Sequence, residues 1–382
     1  MKSTLFNFAT LCLFSLVNGQ TSSEGNSYNL LIGTYTQPGK SDGIYVYKFN
    51  ADTGEFSYLS EASGIKNPSY LTVSKDKRYV YSVNEIGNGN GGASAFSFDP
   101  VSGKIDFINY QASGGNGPCY ISVDDQNRFA FVANYGGGSL AAIPINRDGS
   151  LGLAIQSIRH GGGSSVARSQ DRPHVHSTVL SPDNRFLFAS DLGTDKVNIY
   201  RVDYSKPNPL TSANPEYTSV EAGSGPRHFV FHPNGKFAYL IKEIDGSVTV
   251  FDYKDGKLSE KQSVILTPSN YKSENGTPDS ADIHISPDGK FLYGSLRSNI
   301  NELVIYAIGS DGKLLFAGRQ STLGKNPRNF AIDPTGNFLL VGNSGDDEIV
   351  IFRRDQKAGL LKDTGKRIEV GAPVCLKFVA MH

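Results

Sequence analysis

Three side chains suited to handling protons and charge, His176, Arg227 and Glu243, stand at corresponding places in a segment that the chain repeats. A carboxylate, a guanidinium and an imidazole brought together can serve one substrate as base, charge clamp and acid. Arg297 and Arg328 occupy corresponding places in later copies and would add charge for an anionic ligand. His228 and Asp282 lie one position further along their own copies, and His174, Arg168 and Arg172 can reach in from the stretch before His176. Each also has a plainer reading, because polar side chains at a wet opening are often solvated or tie neighbouring elements by salt links. No G-x-S-x-G elbow, phosphate loop, H-E-x-x-H pair or calcium loop occurs, so no metal and no cofactor are expected. The glycine runs 87–92 and 136–138 lack a following helix and read as loops.

The elements that must position these residues come from internal repetition. The segment Asn67 to Glu85 recurs from Gly117, around His176, from Gly225, from Ser280 and from Asn326, and a shortened copy starts at Ala372. The period of about 50 residues is that of propeller blades. Each copy holds an apolar strand A, a tight turn of the Pro-Asp-Gly kind, a second apolar strand B, an alternating strand C and a more polar strand D. Strands A and B are antiparallel, so the start of A and the end of B open on one mouth of the central channel. That mouth varies between copies whereas the turns at the other end repeat, and function is expected at the variable end. Segments 30–35, 43–49 and 55–60 supply B, C and D strands without an A strand, and the lone strand at 373–380 fits the gap. The expected fold is therefore an all-β, seven-bladed β-propeller whose last blade is closed by both termini.

Composition agrees. The 382 residues carry 37 Lys+Arg against 37 Asp+Glu, which argues against nucleic acid or an anionic membrane surface as partner. Residues 1–19 read as a signal peptide: Lys2, the apolar run Leu5 to Val17, and small residues before Gln20. The run is too short for a membrane span, so export to the periplasm or the medium is expected. Residues 20–382 form one propeller without a linker, expected to be a monomer. Cys119 and Cys375 are too few for a disulfide framework and lack zinc spacing.

With Ile32-Gly33-Thr34-Tyr35-Thr36, Gly43 to Tyr47, Arg172-Pro173-His174-Val175-His176, Gly225-Pro226-Arg227-His228 and Asn326-Pro327-Arg328-Asn329, the chain resembles the lactonase seven-bladed propeller family from Leu31 to Val379. That family contains bacterial 6-phosphogluconolactonases and a fungal carboxymuconate cyclase. The resemblance implies hydrolysis of a small-molecule sugar lactone. It also implies a His, Arg and Glu site matching His176, Arg227 and Glu243. On this expectation Arg227 stabilises charge, Glu243 acts as base and His176 transfers a proton. Arg297, Arg328, Asp282, His228 and His174 then contact substrate. A non-catalytic propeller that binds a ligand or protein, and a lactone-forming cycloisomerase, are the alternatives. A phosphorylated sugar lactone is a cytoplasmic metabolite, so export favours an unphosphorylated one.

Overall fold

A computed structural model describes residues 26–164, 166, 168–272 and 276–381. The proposed signal segment 1–19 lies outside the described residues. The described residues form seven four-stranded antiparallel sheets, each running A-B-C-D outward. Numbered in chain order, blades 1 to 6 span 71–112, 118–159, 175–219, 226–265, 280–321 and 327–369. Blade 7 combines Pro373–Ala380 with Ser27–Thr34, Gly43–Asn50 and Phe56–Ser63. Its A strand pairs with the N-terminal B strand from Tyr28↔Ala380 to Gly33↔Cys375, the closure expected from the sequence.

The B strands are buried along their whole length in blades 2 to 6, from Phe129–Asn134 to Phe338–Asn343. Neighbouring blades cover both faces, which is why these strands read as unbroken apolar runs. Tyrosines on B strands stitch blade to blade. The Tyr81, Tyr239 and Tyr293 hydroxyls donate to the carbonyls of Gly149, Gly312 and Gly359 in the next blade's C–D turn, at 3.0, 2.8 and 2.7 Å. The A–B turns at the far end hold Gly235, Gly289 and Gly336 at positive φ.

Strand A breaks register at one recurrent place. In blades 2, 3, 4 and 6 one extra residue bulges out of the pairing with strand B: Cys119, His176, Arg227 and Arg328. Such a bulge re-aims a side chain that regular alternation would have sent elsewhere. The glycine-rich insert before His176 docks at its end onto blade 3. Buried Gln170 donates to Leu192 O and Asp195 Oδ1, both at 2.7 Å. Cys119 and Cys375 are buried free thiols.

Candidate active site

The bulged residues of strand A and the residues just past strand B build the site. Glu243 follows the strand Phe237–Lys242, and its amide donates to Gly225 O at 2.7 Å, which fixes it beside the bulge of its own blade. Arg297 follows Phe291–Leu296 in the next blade. Glu243 binds both blades' arginines: Oε2 accepts from Arg227 Nε at 2.7 Å, and Oε1 lies 3.1 Å from Arg297 Nη2. Arg297 Nε donates to Asp279 O at 2.9 Å. From blade 3, His176 Nε2 comes within 3.9 Å of Glu243 Oε2. Imidazole, guanidinium and carboxylate thus converge as the repeat predicted, with Arg297 as a fourth member.

Burial and charge set the protonation states. Arg227 is only 1% exposed, and burial lowers its pKa to about 10 against the pull of Glu243, so it stays a cation at neutral pH. Burial alone would raise Glu243, but Arg297, Arg227 and Arg328 outweigh it and hold the carboxyl below its ordinary value. For His176, burial and then the charges of Arg227, His228 and Arg328 push the pKa well below 6.5, leaving a neutral imidazole. Burial pushes the Cys119 thiol, 3.8 Å from His176 Nδ1, far up, which keeps it protonated and non-nucleophilic.

The other expected contacts sit further from this centre. His174 lies behind it, stacked on Tyr135 at 4.5 Å between ring centres, with Nδ1 donating to Tyr135 O at 3.0 Å. Tyr135 in turn meets His176 edge-on. His228 and Asp282 were expected at the mouth but occupy the layer below. Because the bulged residue faces the channel, its successor faces it too, one step deeper. Both residues, with the stacked Tyr70 and Tyr120, line a cavity of about 340 Å³ that also touches Val179, Phe231 and Pro182 toward the turn end. Both Asp282 oxygens are taken by protein donors, so its expected substrate contact gives way to a structural one.

Residues 29–378 match the family model for the seven-bladed β-propeller lactonases. The chain belongs to the seven-bladed β-propeller lactonase family. The 6-phosphogluconolactonase of Formosa agariphila is 37% identical to it, over 91% of this chain and 98% of that protein. That of Bacillus subtilis is 35% identical, over 91% and 97%. The solved structure of the periplasmic gluconolactonase of Pseudomonas aeruginosa superposes with a TM-score of 0.88 at 39% identity, covering 93% of this chain and all of that one.

This propeller lactonase carries a second carboxylate at the mouth that the sequence reading did not single out. Glu85 follows the B strand Tyr79–Asn84 of blade 1, the place Glu243 holds in blade 4, so copy-by-copy alignment contained the signal. Glu85 Oε2 accepts from the Tyr35 hydroxyl at 2.9 Å and from Ser69 Oγ. Arg328 lies over the Tyr35 ring, 5.3 Å from its centre. Arg328 is half-buried and makes no direct hydrogen bond or ion pair among the described residues, although Tyr35, Glu85 and Glu243 favour its charge from a distance. Such a cation is ready to receive a ligand's negative charge.

Proposed function

We propose that this lactonase opens a sugar lactone at the Glu243 centre and works outside the cytoplasm. The observation that carries the reading is the convergence of two arginines and a neutral histidine on one partly buried carboxylate, in a chain of the lactonase family. The roles differ from those expected for Glu243 and His176. A carboxylate gripped by two guanidiniums is held as their anchor, which leaves the neutral His176 imidazole as the proton acceptor; its lowered pKa makes it a weak base that hands the proton on readily. His176 therefore deprotonates the attacking water, whose hydroxyl adds to the lactone carbonyl. Arg227 and Arg297 face the oxyanion as it forms. Collapse breaks the ring C–O bond, and the proton held by His176 passes to the departing alkoxide. Glu243 keeps the arginines in place.

Export alone favours an unphosphorylated lactone, but Arg328 supports one that carries an anionic group, as 6-phosphogluconolactone does, and the charge at the site is the stronger indication. Export is supported by the Lys2, Leu5–Val17 and Gln20 pattern and by likeness to a periplasmic gluconolactonase. The test is lactone opening followed by pH-stat on gluconolactone with and without the 6-phosphate, spontaneous opening subtracted. A kcat/KM ratio favouring the phosphorylated lactone, which Arg328→Ala brings toward one, is the expected result. No rate above the spontaneous one on either lactone would overturn the reading and leave the binding-propeller alternative. Fractionation of the native host places the protein inside or outside the inner membrane.

A further inference from the structure

Directly beneath the Arg227–Glu243 pair lies a buried carboxylate and imidazole that the reaction above does not use. Donor counting fixes the state of that imidazole. A guanidinium carries N–H donors only, so His228 Nε2, 3.2 Å from Arg227 Nη1, must accept. The ring proton then sits on Nδ1, which donates to Asp282 Oδ1 at 2.8 Å. Asp282 is braced in turn. Its Oδ2 accepts from His284 Nε2 at 2.9 Å, from Asn329 Nδ2 and from the Phe330 amide. Asn329 Oδ1 accepts from Leu376 N at 2.7 Å. Blades 4, 5, 6 and 7 therefore all contribute to aiming one lone pair at Arg227. The same Nη1 donates to Ala281 O, Nε is held by Glu243, and Nη2 makes no bond to the described residues.

We propose that Asp282 and His228 are positioning residues for Arg227: the carboxylate fixes the imidazole tautomer, and the lone pair it exposes locks the guanidinium with Nη2 turned to the substrate. The proposal rests on the reading of Arg227 as the group that meets the oxyanion. It follows the general rule that the partner behind a working side chain sets both its tautomer and its direction.

The competing account is packing alone. The rings of Tyr70, Tyr120 and His176 surround His228 edge-on at 5.8, 5.4 and 5.4 Å. Two substitutions separate the accounts. His228→Gln keeps an N–H for Asp282 and an acceptor for Arg227 but loses the ring. His228→Phe keeps the ring and loses both bonds. Positioning predicts that Gln retains kcat to within about tenfold, while Phe loses about a hundredfold with KM little changed and with folding verified by melting. The reverse order overturns the proposal. Nitrogen-15 spectra of the wild-type histidine side chains give an arm that needs no lactone. They should show a ring protonated at Nδ1 and bare at Nε2 that disappears in His228→Gln. A ring protonated at Nε2 at that position overturns the proposal even if the lactonase reading holds. If the wild type opens no lactone, that reading fails while the spectrum still decides the tautomer.

Discussion

Arg227 concentrates the consequences of the site in one residue. It is a large, fully buried charge whose one carboxylate partner among the described residues is Glu243. Removing the partner of a buried charge costs about 3–5 kcal/mol, because the survivor is stranded in a poor solvent. Glu243 is 21% exposed, so Glu243→Gln should cost less, about 1–2 kcal/mol in chemical denaturation, a discount for solvent screening. Its kcat/KM should still fall by a hundredfold or more, since both arginines lose their anchor. The pH dependence of stability follows from the histidine below. Burial, then the charge of Arg227, lowers the His228 pKa from 6.5 to about 4, while Asp282 pulls the other way. The unfolded chain therefore binds the proton more readily than the native one, so stability is complete above about pH 6.5 and is lost as pH falls toward 4. Melting temperatures across that window should drop on acidification, and less so in His228→Gln. At this scale the sequence carried a good deal. His176, Arg227, Glu243 and Arg297 do meet. What it could not carry was depth, because His228 and Asp282 have the composition of mouth residues and only the register breaks in strand A, at Arg227 in blade 4 and between Ser280 and Ile283 in blade 5, put them one layer down.

At the scale of the element, the two ends of each blade do different work. The mouth end is made by bulges in strand A, and the bulged residues differ from blade to blade: Cys119, His176, Arg227, Arg328. The other end is made by repeated A–B turns. Gly235 has φ 68° with open space where a Cβ would stand. A side chain there meets backbone strain alone, about 1–2 kcal/mol. Gly235→Ala should lower the melting temperature while leaving kcat and KM of lactone opening as in the wild type. Loss of activity in a variant that still folds would place function at the turn end. The alternation of strand types was legible because buried B strands and half-exposed D strands differ in pattern. The bulges were not, since a bulge leaves no mark on composition. Reading the copies in parallel found the ring of residues that converges at the mouth all the same, because blades 2, 3, 4 and 6 bulge at the same step.

For the whole molecule, the decisive feature is the closing blade. Leu30, Leu31 and Ile32 are fully buried between Pro373–Ala380 and their own sheet. Deleting residues 373–382 would expose that apolar edge and open the ring at one seam. The truncated chain should be recovered in aggregates, with no cooperative melting transition by calorimetry. A soluble, active product would mean that six blades and three strands of the seventh suffice. The count of seven and the shared last blade were readable from the sequence, because the missing A strand at the front and the spare one at the back are complementary.

That seam also sets a timetable. The first strand to leave the ribosome must wait for the last, since Tyr28 finds its partner only at Ala380. Until then every intermediate is an open arc with one hungry border, and contacts so distant along the chain form slowly. A chain whose last strand completes its first blade reaches its full stability only after those final residues are made, so the closing step comes after synthesis of everything else.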